Sequence, residues 1–400
     1  MSITYLADFY AAMRLLREVR CRIISQSTTA KSIINPNDLN ELITIENKLK
    51  AIAKHNGLFI IKTHQDDNIF IELDYELGEI KKDDIYLNLG EKALFKHLEN
   101  IHDNFKEELE AGLQFLKPYT FHHFITDRDG TISNYCGRYQ SSIQSVYNAL
   151  FLSAFTTTVK EKSIIITSAP LQNIGLIDIS IQPQKDFILA GSKGREFVDE
   201  NGKKYAYPID SKQQKKLDEL NEAIEQLLGK AKFSSFRYIG SGLQYKFGQT
   251  TLARQDKNNA IPKQKSQTLK TEIEQLLQRL DPSKSIFRLE DTGKDLEIML
   301  TVKTDDDKNK VEDFHKGHGI EFMSRTLDIN MDEKTVLICG DTASDLPMLE
   351  AAMAANANTV GIFVTTDEQL KKEVKRICQN SLIVSTPDIL VALLYLYSKA

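Results

Sequence analysis

Two aspartates separated by a single residue lie directly after an apolar stretch of the sequence. Residues 121–126 have the pattern of a buried strand, and Asp127 and Asp129 follow where that strand ends. Gly130 permits a sharp turn, and the hydroxyl of Thr131 can fix it. In such a turn one carboxylate can attack phosphorus while the other transfers a proton. The pair predicts phosphoryl transfer; a polar strand exit with an Asx turn is the alternative for this motif taken alone.

Carboxylates this close repel one another, so we expect a divalent cation between them. Oxygen-only ligands and a phosphate substrate favour Mg²⁺. A second strand pattern, residues 335–339, is followed by Gly340, Asp341 and Asp345. Asp341 could add a carboxylate to the metal. Asp345, on the opening turn of a helix, could cap that helix or anchor a metal ligand.

Two weaker signals lie between these acidic motifs. The strand pattern of residues 163–166 ends at Thr167 and Ser168, whose hydroxyls could hold a phosphate oxygen. Lys316 opens a helical pattern and could neutralise a transferring phosphoryl group. Taken alone, each signal has a plain alternative, which is an ordinary strand end for Thr167 and a solvated surface lysine for Lys316.

In this order the motifs resemble those of the haloacid dehalogenase superfamily of phosphatases, over roughly residues 118–398. The resemblance implies that Asp127 is the nucleophile and Asp129 the general acid and base. It also implies that Thr167 and Lys316 hold the phosphoryl group. Mg²⁺ is then expected at the carboxylate of Asp127, the backbone carbonyl of Asp129, and the acids Asp341 and Asp345.

The long stretch between Thr167 and Lys316 alternates strand and helix patterns, which predicts an inserted α/β cap. Strands are predicted at 187–191, 204–209, 236–247 and 250–255, helices at 213–230 and 266–280, and a hairpin at 286–302. We expect residues 304–310, with three consecutive aspartates, to form a solvated turn leaving the cap.

Several segments are similar to trehalose-6-phosphate phosphatases that carry an N-terminal helical domain. The similar segments are residues 124–131, 134–136, 191–196, 240–246, 295–297 and 338–342. The resemblance implies that five polar residues grip the sugar hydroxyls and the phosphate: Arg195, Glu196, Gln244, Lys246 and Glu297.

Two positions depart from the family pattern. Arg128 places a charge between the two motif acids, where relatives often have an aromatic or aliphatic residue, and Ala169 stands where glycine is common. Neither change removes a catalytic group.

The expected fold is therefore α/β, with a Rossmann-like parallel-sheet core, an α/β cap inserted between the second and third motifs, and an N-terminal helical domain. We expect the helical domain at 1–117, the core at 118–183 with 312–400, and the cap at 184–311. Within the N-terminal domain, helical patterns cover 6–25, 39–55 and 89–116, and a break in the last is predicted near His102. This domain could mediate self-association, dock a partner or brace the core.

Composition is typical of a soluble globular protein of two or three domains. The 400 residues are 41% apolar and 27% charged with a net charge of −5, which gives no reason to expect nucleic acid or an anionic membrane as a partner. The cysteines lack CxxC spacing and favour a reducing cytosol. Charges interrupt the first apolar residues, so no signal peptide is expected, and the longest apolar run, 389–397, is too short to span a bilayer. We expect a cytoplasmic location and a small sugar phosphate as substrate.

Alternatives remain at this point. Another sugar phosphate, of the sucrose phosphate or mannosyl-phosphoglycerate type, would use the same core residues. A catalytically silent binding or regulatory protein built on this fold is disfavoured by the intact acids and lysine. A phosphomutase would yield an isomeric sugar phosphate without free phosphate.

Overall fold

The computed structural model describes residues 2–27, 34–256, 259, 261–303 and 311–400. The aspartate-rich turn predicted at 304–310 lies outside the described residues. Among the described residues, no helix combines the length and the apolar character that crossing a bilayer requires.

The described part of the N-terminal region contains five helices and a small antiparallel sheet. The helix α2 starts where the sequence predicts, because the side chain of Asn35 accepts a hydrogen bond from the backbone of Asn37 at 3.0 Å. The predicted break near His102 is confirmed by the gap between the last two helices. The elements are α1 (Leu6–Ser27), α2 (Pro36–Lys50), β1 (Lys54–His55), β2 (Leu58–Lys62), β3 (Asn68–Ile71), α3 (Asp74–Leu89), α4 (Glu91–Ile101) and α5 (Phe105–Leu116).

An eight-stranded sheet forms the core, in the order β16-β15-β14-β4-β5-β6-β7-β8. The first six strands are parallel, and β7 and β8 are antiparallel additions at one edge. The first part of the core contains β4 (His123–Thr126), α6 (Val146–Thr156), β5 (Lys162–Ile166), α7 (Leu176–Ile179), β6 (Ile188–Gly191), β7 (Glu196–Val198) and β8 (Lys204–Ala206).

Helices cover both faces of this sheet, which explains why its central strands read as continuous apolar runs. Phe124 and Ile165 pack on the face that contacts α5 and α6. Ile125 and Ile164 pack on the opposite face. The remaining core elements are α10 (Lys316–Leu327), β14 (Thr335–Gly340), α11 (Leu346–Ala354), β15 (Asn358–Val364), α12 (Glu368–Ile377), β16 (Ser381–Val384) and α13 (Pro387–Ser398).

A second sheet, here called the cap sheet, has the order β11-β12-β10-β9, with β13 paired to β12. Leu252 and Ile298 on one of its faces pack with Leu220 and other apolar residues of the cap helices. Its elements are α8 (Ser211–Leu228), β9 (Leu243–Lys246), β10 (Gln249–Ala253), α9 (Lys263–Leu280), β11 (Phe287–Asp291), β12 (Asp295–Lys303) and β13 (Val311–Asp313).

Two predictions about the inserted region need correction. The strand predicted at 236–247 is wrong in its first half, because a 3₁₀ turn covers Ser234–Tyr238 and the glycines at 240 and 242 have positive φ angles of 48° and 66°. The strands β6, β7 and β8 lie within the predicted cap range, yet they extend the core sheet. We therefore propose that the cap begins after Ala206 rather than at residue 184.

Candidate active site

Three aspartates meet at the carboxyl edge of the core sheet. Asp127 follows β4 and Asp341 follows β14, and these two strands are hydrogen-bonded in parallel, so both residues leave the sheet side by side. The backbone N–H of Asp127 donates to the carbonyl of Cys339 at 2.9 Å. Asp127, Asp341 and Asp345, here called the acid cluster, each offer an oxygen within 4.8 Å of the others.

Lys316 projects into this cluster from the start of α10 and is 2% exposed. Its Nζ donates to the carboxylate of Asp127 and to Oδ1 of Asp345, the latter at 2.5 Å. Burial alone would lower the pKa of Lys316, but the two acids outweigh burial and raise that pKa above its usual value. Lys316 is therefore a buried ammonium group and not a solvated surface lysine.

Asp345 has both of its oxygens engaged by neighbouring groups. Beyond the contact with Lys316, its Oδ2 accepts hydrogen bonds from the backbone N–H groups of Asp341 and Thr342, each at 3.0 Å. This geometry favours the anchoring role considered for Asp345, because the carboxylate fixes both the lysine and the loop that presents Asp341.

The acid cluster carries more negative charge than Lys316 can balance. Burial raises the pKa of Asp127 to about 7, although Lys316 opposes the shift. Burial, followed by the charges of Asp127 and Asp345, raises the pKa of Asp341 well above its usual range. An oxygen-only set with surplus negative charge fits a divalent cation such as Mg²⁺. Asp127 and Asp341 would hold the ion, and Asp345 would orient Asp341.

The loop beneath the cluster allows a close approach of backbone and carboxylate. Gly130 has a φ of +91°, and a Cβ at this position would lie 2.2 Å from Oδ2 of Asp341. Thr131 donates from its hydroxyl to Oδ1 of Asp341 at 3.0 Å and also lies 3.4 Å from Oδ2 of Asp127. Thr131 was predicted only to fix the turn, and its contact with both acids was missed.

Asp129 lies outside the acid cluster, and its carboxylate is turned to a different set of partners. The side chain of Arg128 pairs with Oδ1 of Asp129, and the hydroxyl of Ser142 donates to the same oxygen at 2.9 Å. Arg128, the residue that departs from the family pattern, is thus 1% exposed, and its guanidinium faces the protein interior rather than solvent. Asp129 was expected to bind the metal through its backbone carbonyl, and this stays a prediction.

Thr167 follows β5, which is the neighbour of β4, and is buried. Its hydroxyl accepts a hydrogen bond from the backbone N–H of Ala169 at 3.2 Å, while its own N–H donates to Ala190 at 2.9 Å. The position at the same sheet edge as Asp127 agrees with a role in holding phosphate. That role itself stays a prediction.

Two of the five predicted sugar contacts, Arg195 and Glu196, are engaged by other groups of the protein. Arg195 contacts the carbonyl of Gly248 at 3.3 Å, the carbonyl of Leu300, and the ring of Phe314 at 4.5 Å, and thereby joins the core to the cap sheet. Burial lowers the pKa of Arg195 to about 10.

Glu196 accepts hydrogen bonds from the backbone of Leu171 at 3.0 Å and from the hydroxyl of Ser192 at 2.8 Å. It thereby holds the loop that follows β5. Together, Arg195 and Glu196 are engaged by protein groups in this structure, so their role as sugar contacts is not supported by their geometry.

The other three predicted sugar contacts share the polar face of the cap sheet. Thr251 pairs across the strands with both Gln244 and Glu297, which places them in one row. Lys246 lies in the next row, 3.9 Å from Glu297. Lys193, 3.3 Å from Glu297, completes this group. Lys193 was missed as a site residue, although it lies inside the family-like segment 191–196.

Tyr135 lies on the loop that follows the catalytic turn. Its side chain is exposed, at 63% of its full accessibility. Partial desolvation, followed by the negative charge of Asp295, raises the pKa of Tyr135 to about 12.

Two family models match this chain, and they divide it between the N-terminal region and the core with its cap, as the structure does. The family model described as trehalose-6-phosphate phosphatase, C-terminal, matches residues 124–390, and the model for the N-terminal helical bundle domain of the same proteins matches residues 5–118.

Curated relatives include an alpha,alpha-trehalose-phosphate synthase [UDP-forming] 1 from Aphelenchoides avenae, 30% identical, covering 96% of this chain and 35% of the relative. The trehalose-phosphatase of Brugia malayi is 29% identical, covering 75% of this chain and 63% of its own length. The corresponding protein of Caenorhabditis elegans is 27% identical, with coverage of 87% and 79%. The chain spans about a third of the length of the synthase relatives.

Among solved structures, the Candida albicans trehalose-6-phosphate phosphatase C-terminal domain is 14% identical with a TM-score of 0.48, covering 73% of this chain and 96% of that domain. The two family models cover the N-terminal region and the core with its cap, and the matched core contains all members of the acid cluster. The chain therefore belongs to the trehalose-6-phosphate phosphatase family.

Proposed function

We propose that this chain hydrolyses trehalose 6-phosphate to trehalose and phosphate, with Mg²⁺ as cofactor and an aspartyl-phosphate intermediate. The observation that carries the proposal is the buried ammonium of Lys316 between Asp127 and Asp345, with Asp341 beside them. Family membership supports the choice of substrate.

In the first step, an oxygen of Asp127 attacks phosphorus in line and the bond between phosphorus and the sugar oxygen breaks. Asp129 gives its proton to the departing sugar oxygen. Lys316 and Thr131 orient the carboxylate of Asp127, and the charge of Lys316 stabilises the transferring phosphoryl group. Bound Mg²⁺ would neutralise phosphate charge near Asp127 and Asp341.

In the second step, water attacks phosphorus of the aspartyl phosphate. Asp129, now ionised, takes the proton from that water, and free phosphate leaves while the carboxylate of Asp127 is restored. The same residue thus serves as acid and then as base, which returns the enzyme to its starting protonation state.

Substrate choice is assigned to the polar face of the cap sheet. Gln244, Lys246 and Glu297 offer amide, ammonium and carboxylate groups that suit vicinal sugar hydroxyls. Arg195 and Glu196 are better assigned to fixing the cap and the loop after β5, because their polar atoms contact protein groups. This revises the expectation that all five contact the sugar.

The test is phosphate release from a panel of sugar phosphates, each with Mg²⁺ and with a chelator. Marked preference for trehalose 6-phosphate supports both the chemistry and the cap assignment. Preference for sucrose phosphate or mannosyl-phosphoglycerate would keep the chemistry and overturn the cap assignment. Absence of release from any ester by folded protein with Mg²⁺ would favour a binding role instead.

A further inference from the structure

Arg128 and Ser142 hold the side chain of Asp129 from one side. Both contact its Oδ1, with the Ser142 hydroxyl at 2.9 Å. Arg128 and Ser142 are each 1% exposed, whereas the side chain of Asp129 retains 20% of its exposure. One oxygen of Asp129 is therefore fixed by buried donors while the carboxylate stays reachable from the cleft.

Arg128 is in turn fixed by the short segment that leads into α6. Its Nη1 donates to the hydroxyl of Ser142 at 2.9 Å, and its Nη2 donates to the carbonyl of Ser142 and to Oε1 of Gln144 at 3.1 Å. A planar guanidinium held at both terminal nitrogens cannot turn without breaking several contacts. The direction of Arg128 thus depends on where residues 142–144 lie.

The N-terminal region fixes the same segment from its other side. Two carboxylates of α3 accept hydrogen bonds from its backbone: Glu79 from Ser145 at 3.0 Å, and Asp83 from Val146 at 2.6 Å. These N–H groups belong to the start of α6, where backbone N–H groups lack partners within the helix and negatively charged side chains stabilise it.

Arg20 of α1 completes this anchor. Its Nη1 donates to the carbonyl of Ile143 at 2.6 Å, and its Nε donates to Asp83 at 2.7 Å. Arg20 and Asp83 are both fully buried, and Glu79 is 3% exposed. The segment 142–146 is therefore clamped between the N-terminal helices and the loop that carries Asp129.

We propose that Arg128 and Ser142 are positioning residues for Asp129, and that Arg20, Glu79 and Asp83 of the N-terminal region hold them in place. The inference rests on the proposed function, because it assigns a purpose to the alignment of the general acid. It gives the N-terminal region a part in the reaction that differs from docking a partner. Proton transfer to a sugar oxygen depends on alignment, so loss of the Ser142 contact lowers turnover without weakening substrate binding.

The test compares Ser142→Ala with Ser141→Ala in the full chain. The two serines are adjacent and equally buried, but the hydroxyl of Ser141 donates to the carbonyl of Arg138 at 3.0 Å, whereas that of Ser142 donates to Asp129. Each variant is assayed on trehalose 6-phosphate and on p-nitrophenyl phosphate. Nitrophenolate leaves without a proton, whereas a sugar alkoxide needs one.

We expect Ser142→Ala to lower kcat on the sugar ester by about tenfold or more, within the range of general-acid effects. KM should change little, and the first-turnover burst of nitrophenolate should stay within about threefold of wild type, since it needs little general-acid help. Ser141→Ala should leave unchanged the ratio of activity on trehalose 6-phosphate to activity on p-nitrophenyl phosphate. A Ser142→Ala enzyme that loses both activities equally, or neither, overturns the inference.

A second pair of variants tests the more distant part of the clamp. Asp83→Asn should also lower the activity on trehalose 6-phosphate relative to that on p-nitrophenyl phosphate. Asp84→Asn should not, because Asp84 contacts only Lys81 and Asn88 of its own helix. If Asp83→Asn does not fold, Ser142→Ala still decides the matter. A wild-type enzyme that hydrolyses neither ester overturns the proposed function together with the inference. An active wild type with an unchanged ratio in Ser142→Ala overturns the inference alone.

Discussion

The substitution Gly130→Ala separates the chemical role of the catalytic loop from its contribution to folding. Gly130 has a φ of +91°, and a Cβ added there would lie 2.2 Å from Oδ2 of Asp341. Ordinary van der Waals contact begins at 3.4 Å, so the carboxylate or the loop must move by about 1.2 Å. The new methyl group therefore displaces Asp341, an expected metal ligand.

Two separate costs follow from this geometry. A left-handed backbone costs an alanine roughly 1–2 kcal/mol relative to a glycine. A displacement of about 1 Å at reacting groups can lower turnover by about 100-fold. We expect Gly130→Ala to remain folded, with unfolding free energy reduced by about the backbone cost, and to lose about 100-fold in kcat/KM on trehalose 6-phosphate.

Gly57→Ala is the matched control. Gly57 has a similar φ of +84°, and a Cβ there would meet no atom within 4 Å. It should lose a similar amount of stability in urea unfolding while keeping full phosphatase activity. If Gly130→Ala retains activity within a few-fold of Gly57→Ala, then the close approach to Asp341 does not matter for the reaction and the reasoning about this loop is refuted.

Two further predictions concern buried charges. Lys316→Met should cost about 3–5 kcal/mol of stability in urea unfolding and abolish turnover, because Asp127 and Asp345 would be left buried without their cation; unchanged stability would contradict the pairing. Burial alone would raise the pKa of Asp388, but Lys82 and its other partners outweigh burial and hold that pKa well below its usual value. The ionised carboxylate therefore stabilises the fold above about pH 4, and this contribution is lost progressively on acidification. The stability lost in Asp388→Asn should therefore be largest at neutral pH and should shrink steadily as the pH is lowered below about 4, and a loss that does not change with pH would contradict this.

The catalytic core was predictable because its residues follow strands whose apolar character is strong. The strands ending at Asp127 and Asp341 are buried on both sides and read clearly in the sequence. Parallel strands place their carboxyl ends at one edge, so acids at two such ends were expected to meet. The structure places Asp127 and Asp341 together in this way, with Lys316 between Asp127 and Asp345.

The N-terminal region was less predictable, and the sequence analysis left residues 56–88 without an assignment. The helix α3 lies there, but its buried residues include Glu76, Glu79, Lys82 and Asp83, which satisfy one another and distant partners. A helix that buries charges does not produce the apolar periodicity by which helices are found. Its contacts with the start of α6 depend on tertiary structure alone.

The sequence also could not show which polar residues face the cleft between the core and the cap sheet. Arg195 lies in a family-like segment, yet its guanidinium contacts Gly248 and Leu300 because the cap sheet packs directly over it. Arg128 lies between two catalytic acids, yet it turns inward because Ser142 and Gln144 offer it acceptors. Both outcomes depend on segments far away in sequence or on the path of a loop.

The measurement that tests the central claim most directly is phosphate release from trehalose 6-phosphate by the wild-type chain and by Asp127→Asn, both with Mg²⁺. The substitution keeps the size of the side chain, and circular dichroism can establish that the fold is retained. The account predicts steady release by wild type and none above background by the variant. Measurable turnover by folded Asp127→Asn, or no release by wild type, would contradict it.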